Sequence, residues 1–280
     1  MVTETGELTA AKPAPRLYWW KEVLLIAVFY ALYTGSRNKF GSATLAEGAQ
    51  PTKAYDNATH LIRIEKALGL FHEKAIQHAF LSWHWFLKFW NVFYGSAHFI
   101  VTIGVFVWMY RKGRHLFTKW RNCILLTTGL ALVGFSLFPV MPPRLLDSPT
   151  RYGGAVIQQE RNIPEYGIKD TLEEVGGLWN FDSGAVSKLS NQYAAMPSLH
   201  CGWSTWCAIV GWQLTRRRWA RALLVLHPIA TIFCIIVTGN HYWIDGLGGL
   251  LTLGLGYLLG RAINDLNDRR LERKATLAAR

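Results

Sequence analysis

The chain has 280 residues, 51% apolar and 14% aromatic, with 13 Trp and a formal charge of +12. Its mean hydropathy is slightly positive, which is high for a soluble domain and ordinary for a polytopic membrane protein. The basic balance does not point to nucleic acid, because no basic face with interleaved aromatics is present; the cations cluster between oily segments, as they do beside anionic lipid headgroups.

Residues 1–16 carry Glu4 and Glu7 and no early apolar core, so they read as a cytoplasmic tail and not as a cleavable signal. About 20 apolar residues cross a bilayer, and six segments qualify. They are residues 18–34, 92–110, 122–141, 196–215, 222–238 and 241–260. The first is the weakest, since Lys21 and Glu22 interrupt its start. Between the first two, residues 54–80 alternate apolar and charged positions as an amphipathic helix does, and are expected to lie near the outer headgroups. Residues 261–280 form a basic cytoplasmic tail, leaving 17–260 as one membrane domain. The fold class expected is therefore all-α: a polytopic membrane protein with six transmembrane helices, an outer-face amphipathic segment and a long outer loop.

Charge sets the orientation. The loop 111–121 has five basic residues and no acid, and 216–221 has four and none; short loops of this kind stay cytoplasmic. The loop 142–195 has five basic and seven acidic residues and resists that side. Its turn signals include Pro142-Pro143, Gly153-Gly154, Gly176-Gly177 and Gly184, and a loop this long is expected to cap a site. A multi-pass protein of the cell membrane follows, with its polar clusters on the non-cytoplasmic face.

Three such clusters reach that face: Phe138 to Arg144, Met196-Pro197-Ser198-Leu199-His200, and Asn240-His241-Tyr242-Trp243-Ile244-Asp245. Ionisable groups at membrane spans are costly and mark function. Pro197 suits a first helical position, and Thr238 or Asn240 suits a cap of the last span. Two helix N-termini aimed at one point would cradle an anion, phosphate above all, with Ser198 adding a hydroxyl donor. His241 and Asp245 are one helical turn apart, and an aspartate beside a histidine fixes its tautomer and makes it the better nucleophile. His200, on another helix, is free to act as the acid, and Arg144 to hold phosphate oxygens. Asn191, Gln192 and Tyr193 sit beside this entry and are the expected substrate selectors. His98, His227 and His84 read as packed histidines. Zinc held by three N/O ligands and an ion-pathway role for Asp245 are the competing readings; no HExxH motif or carboxylate cluster supports the metal. The four cysteines, Cys123, Cys201, Cys207 and Cys234, lack CxxC spacing and read as buried free thiols. The six glycines from Gly246 to Gly260 read as small residues for close helix packing.

Pro197-Ser198-Leu199-His200 with His241-x-x-x-Asp245 resembles the type 2 phosphatidic acid phosphatase superfamily, over roughly residues 120–260. The resemblance implies six membrane helices and a cofactor-free, metal-independent phosphohistidine mechanism, with His200 as acid, His241 as nucleophile and Asp245 as its partner. Two features depart from the family pattern. The first motif, Lys-x6-Arg-Pro, is absent, leaving Arg144 as its stand-in; and the Arg six residues before the third-motif histidine is Ile235 here. The phosphate clamp must then differ, with Arg37, Lys39 or Arg151 as possible recruits. This altered set is similar to the branch containing inositol phosphorylceramide synthases, which move a phosphoinositol headgroup between lipids. The expected activity is phosphotransfer from a phospholipid or other lipid-linked phosphate to an alcohol, with hydrolysis at the same site and a non-enzymatic transporter or scaffold as alternatives.

Overall fold

The computed structural model describes residues 18–40, 50–177 and 191–278. Among them the secondary structure is helical: α1 (Trp19–Phe40), α2 (Thr52–Ala67), α3 (Glu73–His78), α4 (His84–Lys112), α5 (Arg114–Leu137), α6 (Ala155–Arg161), α7 (Thr171–Val175), α8 (Leu199–Leu214), α9 (Arg218–Val237) and α10 (Trp243–Ala278). Four are long and apolar enough to cross a membrane: α4, α5, α9 and residues Trp243–Arg270 of α10. Of the other two expected spans, α1 keeps charges at both ends, and α8 has 16 residues. At 1.5 Å per residue α8 is about 24 Å long, against a hydrocarbon core of about 30 Å. The tail 1–16 and Gly184 lie outside the described residues. The tail after residue 260 continues α10 as a helix to Ala278.

α10 packs along α5 and α8. Small residues make that approach possible: a Cβ on Gly249 would collide with the Ser198 carbonyl, and one on Gly256 with Thr127. At Gly254, by contrast, nothing lies within 4 Å of the added carbon. Gly249→Val should therefore destabilise the bundle by about 1–3 kcal/mol through overpacking, while Gly254→Ala should leave it unchanged or slightly firmer. Thermal unfolding in detergent separates the two. The four cysteines are free and buried.

The two basic turns meet at one end of the bundle, where Gly113 abuts Leu214. The opposite end is capped. Here α2 buries Ala54, Tyr55, Ala58, Leu61 and Ile62 against Val140, Met141, Leu145, Leu146, Ile157, Tyr193 and Tyr242. The apolar face expected on headgroups is thus covered by protein. The periodicity showed the right stripe, but a stripe does not say what covers it. The amphipathic segment is also broken in two at Gly69, whose φ of 68° lies in the left-handed region that favours glycine. Within the long loop, Asp147 acts as a knot: its carboxylate accepts from Gln158 Nε2 and from the backbone N–H groups of Tyr166, Gly167 and Ile168.

Candidate functional site

The turn into α10 is built by a helix stop. Gly239 takes φ 67°; its N–H donates to Ile236 O and that of Asn240 to Ile235 O, the pair of bonds that closes a helix with a left-handed glycine. This sends the chain back into the capped end with His241 leading. Neither Thr238 nor Asn240 caps α10. Thr238 Oγ1 donates to Cys234 O, and Asn240 accepts from Arg144. Instead Asp245 Oδ2 accepts from Tyr242 N–H at 2.9 Å, and Glu65 Oε1 from Ile244 N–H at 2.9 Å. Those two N–H groups are engaged by carboxylates and are not open to a phosphate.

The α8 entrance differs in register from the expectation. Ser198, not Pro197, sets the boundary: its Oγ accepts from Cys201 N–H. Pro197 precedes the cap and follows a cis peptide. Ser198 is fully buried, and its own N–H donates to Asp245 O at 2.9 Å. The structure thus places Ser198 behind the site, tying α8 to α10.

His200 and His241 come together, with ring centroids 5.5 Å apart and planes at 63°. His241 Nδ1 lies 2.8 Å from Ala195 O and 3.3 Å from Asp245 Oδ2. Both are acceptors, so Nδ1 is the donor nitrogen of this ring, and Nε2 is the nitrogen that bears the lone pair in that tautomer. Nε2 is buried and makes no hydrogen bond to any described residue. The ring lines an open cleft of about 380 Å³ with Tyr94, Arg144, Asn191, Gln192 and Asn240. His200 opens on a second hollow of about 170 Å³, shared with Tyr94, His98 and Ile235. Tyr94 borders both and stacks on His200 at 4.2 Å and 23°.

Arg144 is nearly buried and fixed from three directions. Nε donates to Asn240 Oδ1 at 3.0 Å, Nη1 to Asp170 Oδ2 at 2.5 Å and Nη2 to Gln192 Oε1 at 2.7 Å. A guanidinium has five N–H donors, so two remain for a ligand in the cleft. Of the three expected selectors, Asn191 and Gln192 line the cleft. Tyr193 turns into the core beneath α2, where its hydroxyl donates to Tyr152 O and burial pushes its phenol pKa up. Arg151 is exposed and lies over the Tyr152 ring; the side chains of Arg37 and Lys39 are not among those described.

Sequence reasoning missed Tyr94, Asp170 and Glu65. Tyr94 had a usable signal, since it lies four residues before His98 on one helix face. Asp170 and Glu65 had none. They reach the site from a long loop and a helix far away in sequence.

This is a helical membrane protein whose capped end holds a cleft with paired imidazoles and a buried arginine. The model of the PAP2 superfamily matches residues 59–259, and the chain belongs to that superfamily. The match begins within α2, so it takes in the cap as well as the motif helices. No curated protein and no solved structure matches. Membership supports an enzyme of phosphatase or phosphotransferase type, acting on a lipid-linked phosphate within a membrane.

Proposed function

We propose that the protein is a six-span phosphotransferase of the cell membrane. It moves a lipid-linked phosphate, of phosphoinositol type, to an alcohol through a phosphohistidine at His241. The observation that carries this reading is the unpartnered His241 Nε2. It is a lone pair held in a cleft by an opposite nitrogen already committed to Ala195 and Asp245. Nε2 attacks phosphorus, His200 protonates the leaving oxygen, and the free N–H groups of Arg144 meet the equatorial oxygens where charge gathers. His200 then takes the proton of the acceptor hydroxyl as the phosphoryl group leaves His241. The amides of Asn191 and Gln192 would read a hydroxylated headgroup. The site faces away from the cytoplasm, since the basic turns occupy the other end.

Mass spectrometry of lipid products decides the acceptor. Full-length protein in nanodiscs, given phosphatidylinositol or phosphatidic acid with and without a long-chain alcohol, should yield a new phospholipid only when alcohol is present. Free phosphate or free headgroup phosphate with no new lipid would establish hydrolysis instead. Turnover should persist in EDTA; full loss with rescue by zinc would overturn the metal-independent route.

A further inference from the structure

Glu65 on α2 and Glu73 on α3 are both fully buried. Glu65 Oε1 accepts from Ile244 N–H. Glu65 Oε2 and both Glu73 oxygens find no donor among the described residues, and the two carboxyl groups are neighbours. Burial and the neighbouring carboxyl both disfavour the ionised form of Glu65. Their position is the first turn of α10. Tyr242 N–H there is held by Asp245 and Ile244 N–H by Glu65, so the segment from His241 to Asp245 is clamped from within and from outside.

We propose that Glu65 is a positioning residue for the His241–Asp245 turn: with Glu73 buried beside it, it fastens the cap helices α2 and α3 to the start of α10. This role rests on the reading of His241 as nucleophile. Asp245 and Tyr242 of α10 lie near the pair, Tyr166 of the long loop lies near Tyr242, and Lys66 Nζ stands over the Tyr166 ring at 5.7 Å. Burial, with the Glu73 carboxyl beside it, raises the Glu65 pKa to about 9. Below that pH Glu65 is uncharged and the clamp holds. Above it Glu65 ionises in a buried place beside Glu73 and Asp245, and the cap parts from the nucleophile turn.

The test compares pH–rate profiles of the full chain in nanodiscs, with labelled phosphatidylinositol and phosphatidic acid as probes. Wild type should lose kcat about tenfold per pH unit above about pH 9, as for one ionisation. Glu65→Gln keeps an acceptor for Ile244 and offers Glu73 an N–H. Its kcat at pH 7 should stay within about threefold of wild type, and its alkaline fall should vanish. Glu65→Ala removes the clamp; its kcat should drop about 10–100-fold at every pH, with KM changed far less. If Glu65→Ala does not fold, the Glu65→Gln profile still decides. A wild-type profile flat above pH 9, a Glu65→Gln profile that keeps the fall, or a Glu65→Ala enzyme with wild-type kcat overturns the role, even while His241→Ala is dead. Turnover that survives His241→Ala overturns the nucleophile reading and the positioning role with it.

Discussion

His241→Ala should lower turnover by roughly 10⁴–10⁶-fold, the scale seen when a nucleophile is removed from a unit whose members act together. The reason is geometric. Nε2 is a buried nitrogen of a cleft-lining ring with no hydrogen-bond partner among the described residues, and the Ala195 carbonyl with Asp245 holds it there. The same substitution should abolish the covalent label left by a radioactive phosphate donor in rapid-quench experiments. That label should be acid-labile and stable to alkali, as a phosphoramidate is. Folding should survive, since the clamps at Tyr242 and Ile244 involve backbone N–H groups that remain. A His241→Ala protein retaining turnover within tenfold of wild type would remove the phosphohistidine route. Asp245→Asn should cost less than a lone orienting carboxylate would, because Ala195 O also fixes the Nδ1 proton; a loss of about 10²-fold is expected against about 10⁴ where the carboxylate acts alone.

The convergence of three polar clusters could be read from the sequence because it depends on two robust signals, apolar length and the one-turn spacing of His241 and Asp245. Helix direction alternates along the chain, so the ends of α5 and α9 and the starts of α8 and α10 must share one end. What fills the space between those ends was not legible. Asp170 reaches Arg144 from a loop whose path is set by the Asp147 knot, and no local pattern encodes a pairing 26 residues away. Glu65 sits among charged neighbours on an amphipathic stretch, where a carboxylate ordinarily faces water. Only the docking of α2 onto the long loop turns it inward. The α10 side of the expected phosphate cradle is closed for a related reason. A free helix N-terminus attracts anions, and at Tyr242 and Ile244 the N–H groups are already taken by the carboxyl groups of Asp245 and Glu65.

Arg144→Ala should damage both folding and chemistry, and the two can be separated. Removing the guanidinium leaves Asp170 a buried carboxylate without its cation, held only by the Leu172 and Glu173 N–H groups it caps, and losing one partner of such a pair costs about 3–5 kcal/mol. Asn240 Oδ1 and Gln192 Oε1 lose their donor as well. The cleft also loses its arginine, worth about 10²–10³ in rate where a positioned donor meets developing charge. The double variant Arg144→Ala/Asp170→Ala removes the stranded charge with its partner. It should recover much of the lost melting temperature in detergent and none of the lost turnover. Arg144→Lys should fall between, since one ammonium keeps the charge but cannot span three acceptors set for a planar fork. Recovery of turnover in the double variant would mean that Arg144 serves only to knit the loops, and that the cation meeting the phosphate comes from elsewhere in the chain.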